Sequence, residues 1–229
     1  MLVFSKKYQI ICDVETASIV QSNTVDPHNA LVYDIGYSIA DYSGNAVKTR
    51  SFIVADIFFG ENEKMNSAYY ANKIPSYITD IISGDRMVLP FKTIRAIMNK
   101  DIKDYNIKVF NAFNSFFDIT ALNTTTKYLT GKKWFFDKYL VVWDIMSMAR
   151  QVIYCKKSYK NFCAENNLLT PRGYTSQKAE SYYKFITNDP TFKEIHKGAD
   201  DVKIETEIYR YCLRQKKRII KELFKCDRK

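Results

Sequence analysis

The sequence has no apolar run that approaches the length of a membrane span, which excludes a helical membrane anchor from the reading. The opening MLVFSKKYQIIC reads as the reverse of a secretory leader, with lysines after the first apolar residues and no small-residue cleavage site following them. A cytoplasmic protein is the expectation. Its five cysteines, Cys12, Cys155, Cys163, Cys212 and Cys226, are odd in number and show neither CxxC spacing nor nearby histidines, which argues against a disulfide framework and against zinc. Histidine is scarce, with only His28 and His196. No internal repeat, low-complexity tract or interdomain linker is apparent.

What the sequence does have is a globular composition and an excess of one charge. With 229 residues, 46% hydrophobic and 26% charged, the chain suits one domain that buries well over half of its unfolded surface. The formal net charge of +10 attracts polyanions, nucleic acid foremost and an anionic membrane surface second. A basic surface that serves solubility alone is the plainer alternative.

Along the chain, residues 7–14 and 31–40 read as strands, and a third strand at 46–54 pairs back as a hairpin around Gly44. From 56 to 105 the pattern is helical, with Pro75 and Pro90 suited to helix starts and Gly84 between them, so this stretch reads as a helical insertion on the sheet. A strand at 107–112 feeds a helix whose apolar spacing runs through Phe117, Ala121, Leu122 and Leu129 to a stop at Gly131. One more strand is expected at 141–144, then helices over 145–155, 157–167 and 177–188. A last helix is expected from near Ala199 through the basic tail, about 200–229. The fold class is α/β, with an antiparallel hairpin inside a mixed sheet.

The acidic residues carry the chemistry. In a strand, Asp13 and Glu15 project from one face, while Ile10, Cys12 and Val14 project from the other. Two like carboxylates together call for an answer, and at the C-terminal end of a sheet strand a divalent cation held by oxygen ligands supplies one. The alternative is that the strand simply ends there and both acids are solvated. Asp118 falls in the first turn of the helix after the 107–112 strand, where the helix dipole alone would favour an acid. His196 stands on a loop before the final helix, with Asp201 in that helix's first turn, so a base and a carboxylate lie near one spot.

At these residues the sequence resembles the DnaQ-like 3′–5′ exonucleases of the DEDDh type, in the RNase H-like superfamily. Asp13-Val14-Glu15-Thr16 is similar to the family's Asp-x-Glu-Thr strand motif, and Asp34 to Asp41 to the strand that follows it. Asn114 to Asp118 resembles Asn-x-x-x-Asp, and His196 to Asp201 resembles His-x-x-x-x-Asp. Compact size and richness in Asn, Lys, Tyr and Phe look closest to phage-encoded members, whose setting would be the host cytoplasm.

The resemblance implies an RNase H-like mixed sheet flanked by helices, a single exonuclease domain, and two Mg²⁺ or Mn²⁺ ions held by Asp13, Glu15, Asp118 and Asp201. Asp13 would bridge the ions, Glu15 and Asp201 would lie on the nucleophile side, and Asp118 would act near the second ion. His196 is implied as the general base for the attacking water. Thr16 and Asn114 are candidates for contact with the terminal nucleotide; Asn114 could instead cap its helix. The expected activity is 3′–5′ removal of nucleoside monophosphates from single-stranded DNA. The alternatives are an exoribonuclease of the same fold and a non-catalytic nucleic-acid-binding module. The tail at 210–229 is a candidate phosphate-tracking surface, or a helix face with Ile219, Ile220, Leu223 and Phe224 packed inward. His28 is read as a loop residue.

Overall fold

The computed structural model describes residues 7–18, 26–66, 68, 70–215, 218–223, 225 and 226. Its centre is β1 (Tyr8–Ser18), which runs antiparallel to β2 (Ala30–Asp41); β2 in turn pairs antiparallel with β3 (Ala46–Val54). The β2–β3 hairpin closes where expected, with Gly44 at φ 80° and the Asp41 carboxylate accepting from the Ser43 and Asn45 amides. On its other side β1 pairs in parallel with β5 (Val109–Ala112), and β5 with β6 (Val141–Asp144).

The 56–105 stretch is helical with one exception. It holds α1 (Ala55–Phe58), α2 (Asn62–Asn66), α3 (Ile74–Ser83) and α4 (Phe91–Asp104). Between Gly84 and Pro90 a three-residue strand, β4 (Met87–Leu89), extends the sheet in parallel beyond β3. Three residues are too few to show a two-residue period, so the sequence pattern gives no sign of this strand.

The helix α5 (Ser115–Thr130) follows β5 and stops at Gly131, whose φ is 71°. After β6 come α6 (Ile145–Ala149), which continues into a π turn over Arg150–Tyr154, then α7 (Lys157–Glu165), α8 (Ala179–Thr187) and α9 (Gly198–Arg214). The helix expected to run over 200–229 is corrected here. It ends at Arg214, and β7 (Lys225–Cys226) pairs antiparallel with β6 to make a seven-stranded sheet ordered β4-β3-β2-β1-β5-β6-β7. Arg214 and Arg218 would stand one turn apart in a continued helix, with like charges facing, whereas the open edge of β6 offers backbone partners. Of the apolar tail residues, Ile219 packs on the core, while Ile220 and Leu223 are exposed. Phe224 and residues 216, 217 and 227–229 lie outside the described set.

Strand alternation sorts the two layers. Ile10, Cys12 and Val14 of β1 pack against Tyr77 of α3, Phe91, Ile94 and Met98 of α4, and Ile119 and Leu122 of α5. Ile11 faces the opposite layer, built from Ile145 and Met148 of α6, Tyr159 of α7, Tyr182 of α8, and Ile204, Ile208 and Tyr209 of α9. Asp13 and Glu15 share the Ile11 face and therefore look toward α9. The fold is α/β, a mixed sheet flanked by helices of the RNase H-like kind. Among the described residues no helix is long and apolar enough to cross a membrane.

Candidate active site

The carboxylates meet because one helix lies directly on the sheet. A Cβ placed on Gly36 of β2 would come within 2.1 Å of the Gly198 carbonyl carbon and oxygen. A Cβ on Gly198 would come 2.8 Å from the Gly36 nitrogen and 3.2 Å from the Asp13 carbonyl oxygen. Two glycines in contact thus bring the first turns of α9 against β1 and β2. The Gly198 amide is further tied by donating to the buried Asp34 carboxylate at 2.9 Å. That same oxygen of Asp34 accepts from Tyr77 Oη (2.8 Å) and Arg86 Nη1 (2.7 Å).

On this frame Asp13, Glu15, Asn114, Asp118, His196 and Asp201 all line one open cleft of about 500 Å³. Thr16 is buried just past a bulge between Glu15 and Thr16 and is not part of the lining. Asp118 Oδ1 accepts from the Val14 amide at 3.2 Å, which pins the start of α5 to the end of β1. Asn114 occupies the N-cap position of α5 in a left-handed conformation, φ 68°, and its side chain makes no cap bond there. Its backbone N–H instead donates to Asp144 Oδ1 at 2.9 Å, so β6 holds the turn. Asp200, beside Asp201, points away from the cleft toward Arg86 and Lys203.

His196 sits at φ 53°, a costly conformation for a residue with a side chain. Two residues hold it there. Lys73 donates to the carbonyls of Ile195 and His196, and the Tyr70 ring stacks on the imidazole at 4.8 Å between centroids and 16° between planes. The imidazole Nδ1 lies 3.9 Å from Asp201 Oδ2 and 3.8 Å from Glu194 Oε2. Burial, then the Lys73 charge, lowers the histidine's pKa, which keeps it neutral and able to accept a proton. His28 does not line this cleft; it lies in a short 3₁₀ turn with its ring edge against Phe116.

Burial together with mutual repulsion raises the carboxylate pKa values. Asp13 is raised by burial, then by Asp118, and Glu15 by burial, then by Asp13 and Asp201. Asp118 is raised by burial against the opposing effect of backbone amides, and Asp201 is pushed up to about 9 by burial, then Asp13 and Glu194. Two acids that motif spacing does not single out join them. Glu205, one turn after Asp201 on α9, and Glu194, two residues before His196, also line the cleft. Burial and Glu180 raise Glu194 to about 7. The i, i+4 relation of Asp201 and Glu205 is visible in the sequence, whereas Tyr70 and Lys73 reach the site only through tertiary packing.

This donor set fits a divalent cation. Ligand atoms of Glu15, His196 and Asp201 lie within 4.8 Å of one another. Asp13 Oδ2, Asp201 Oδ1 and Glu205 Oε2 are buried without a hydrogen-bond partner, and ionised oxygens in that position call for a counter-charge. Carboxylate oxygens are hard donors that suit Mg²⁺ or Mn²⁺.

No family model and no curated protein matches the chain. Solved structures match at the level of fold. A 3′-exonuclease in a structure of 3′-end recognition of the histone mRNA stem-loop aligns at 15% identity and a TM-score of 0.55, over 96% of this chain and 66% of that one. The nuclease domain of 3′hExo, a DEDDh family member bound to rAMP, aligns at 15% identity and 0.54, over 99% of both chains. A moderately thermophilic Exonuclease I from Methylocaldum szegediense aligns at 12% and 0.56, over 91% of this chain and 41% of that one. The chain thus spans just under two thirds of the first of these and less than half of the third. It has the fold on which those nucleases are built.

Proposed function

We propose that the protein is a metal-dependent exonuclease that hydrolyses the terminal phosphodiester at nucleic-acid 3′ ends and releases nucleoside monophosphates. The observation that carries this reading is the set of buried, unpartnered carboxylate oxygens of Asp13 and Asp201 lining one open cleft with His196. Asp13, Glu15, Asp118 and Asp201 would hold two Mg²⁺ or Mn²⁺ ions. Bound there, divalent cations make water acidic at neutral pH and shield charge on the phosphoryl and leaving oxygens. His196 accepts the proton of the attacking water, and Lys73 and Tyr70 keep its ring aimed into the cleft. Asn114 is assigned to the terminal nucleotide from the cleft wall, and Thr16, whose side chain is buried outside the lining, is assigned to it through its backbone just past the bulge.

A cleft of this size takes the end of one strand, so single-stranded DNA is the proposed substrate and RNA the alternative. The likeness to nucleases whose structures hold an RNA stem-loop or rAMP supports including the RNA arm. The test is digestion of 5′-labelled single-stranded DNA and RNA with Mg²⁺ or Mn²⁺, comparing wild type with Asp13→Ala and His196→Ala. The expected result is a ladder that shortens from the 3′ end, is abolished by chelator and is lost in both variants. Undiminished digestion by Asp13→Ala would sink the proposal. A folded protein that binds strands without cutting any of them would establish the binding-module alternative.

A further inference from the structure

The DEDDh-type resemblance accounts for four carboxylates, and the cleft contains a further one, on the same helix face as Asp201, that it does not use. Glu205 is 3% exposed, deeper than a carboxylate is ordinarily found without a partner. One of its oxygens is engaged by the Phe113 amide, while Oε2 is buried with no partner. A side chain needed only to secure the turn after β5 would use a neutral acceptor, because a second, ionised oxygen aimed into an acid-lined cleft adds repulsion and no bond.

Its surroundings place it relative to the other ligands. It lines the same cleft as Asp13, Asp118 and Asp201, and Asp13 Oδ2 and Asp201 Oδ1 are, like its own Oε2, buried without a hydrogen-bond partner. Ligand atoms of Glu15, His196 and Asp201 form one group within 4.8 Å of one another, and Asp13, Asp118 and Glu205 are carboxylates of the same cleft outside that group. Among the described residues no lysine or arginine forms an ion pair with Asp13, Asp118 or Glu205.

Building on the proposed nuclease reading, we propose that Glu205 is a fifth metal-binding carboxylate. With Asp13 and Asp118 it completes a second divalent-cation position that fills before nucleic acid arrives. Three carboxylates suffice to hold a hard cation at that position without an oxygen from a substrate phosphate.

The experiment is a titration of the apo protein with Mn²⁺ in the absence of nucleic acid, followed by calorimetry and by the electron paramagnetic resonance of free Mn²⁺. Wild type is compared with Glu205→Gln, which keeps an oxygen for the Phe113 amide and removes the charge. The expected result is two ions bound by wild type and one by Glu205→Gln over the same concentration range, with the variant melting higher than wild type in chelator. If Glu205→Gln does not fold, Glu205→Asp decides, with second-ion affinity weakened by about tenfold or more. Two ions bound by a folded Glu205→Gln with unchanged affinity, or one ion bound by wild type, would overturn the proposal and leave the nuclease reading standing. No Mn²⁺ bound by wild type would overturn the nuclease reading itself.

Discussion

Gly36 and Gly198 determine the site more than any acid does, because they set the distance between β2 and α9. Their facing backbones leave no room for one methyl group, and the atoms met are main chain, which has no rotamer to yield. Gly36→Ala is therefore expected to push α9 off the sheet, carrying Asp201 and Glu205 away from Asp13. Overpacking of this kind costs about 1–3 kcal/mol, and urea denaturation should show a lower midpoint. Nuclease activity and Mn²⁺ binding should fall together in the same variant. A Gly36→Ala protein with wild-type midpoint and activity would show that the glycine contact does not position the helix. His196 is the second residue whose geometry is imposed from outside. Its left-handed backbone is stabilised by Lys73 and Tyr70, from a segment more than a hundred residues earlier in the chain.

At the scale of elements, α4 is fastened to the hairpin by one buried carboxylate. Asp101, with its side chain 4% exposed, accepts from Tyr37 Oη at 2.7 Å, Lys48 Nζ at 2.6 Å and Arg50 Nε at 3.0 Å. Burial alone would raise its pKa, but the bonds from Lys48, Tyr37 and Arg50 more than offset this and lower it. A depressed folded pKa means that the ionised form is bound more tightly in the native state. The stabilisation is therefore complete above the unfolded value of about 3.9 and disappears as pH falls through it toward the folded value. Asp101→Asn is expected to destabilise by about 1–3 kcal/mol at neutral pH, leaving two cations and a tyrosine hydroxyl short of a charged acceptor. The difference from wild type should shrink below about pH 3.9, as read by urea denaturation across the acid range. A gap that stayed constant with pH would show that the ionised form is not what holds α4.

The elements that sequence pattern reveals are those whose signals are local. β1, β2, β3, β5 and β6 announce themselves by apolar runs ending in turn residues, and α5 by its spacing and its glycine stop. β4 is invisible because its identity comes from pairing with β3 and not from its own three residues. The helix drawn through the tail fails for the opposite reason: propensity continues past Arg214, while repulsion along the basic run and an open sheet edge redirect the chain. The same division runs through the cleft. Asp13, Glu15, Asp118, His196 and Asp201 lie at strand ends and helix starts that can be read from the chain, and Glu205 is one turn from the last of them. Lys73 and Tyr70 enter through packing of the insertion, which no spacing encodes.

Over the whole molecule, charge is divided against itself. The chain carries a net charge of +10, yet six carboxylates, Asp13, Glu15, Asp118, Glu194, Asp201 and Glu205, face one cleft. On the proposed function a basic exterior attracts a polyanion that ionised acids in the cleft would repel, and cations held by those acids would reconcile the two. The same repulsion acts on the folded state without any substrate, since unfolding lets the six acids separate. Cation binding should therefore stabilise the native protein by more than a surface site would suggest. At a free cation concentration about a hundredfold above the dissociation constant, a single site contributes about 2.7 kcal/mol. For a chain of this size that corresponds to a rise of about 5–10 °C in Tm. Thermal unfolding followed by circular dichroism should thus move upward with Mg²⁺ or Mn²⁺ and downward with chelator. Asp13→Asn is expected to melt above wild type in chelator, since an amide neither buries a charge nor has to take up a proton on folding, and to gain much less from the cation. Equal melting temperatures for wild type with and without divalent cation would mean that the acids are balanced by something other than a metal, and the two-ion mechanism would fall with them.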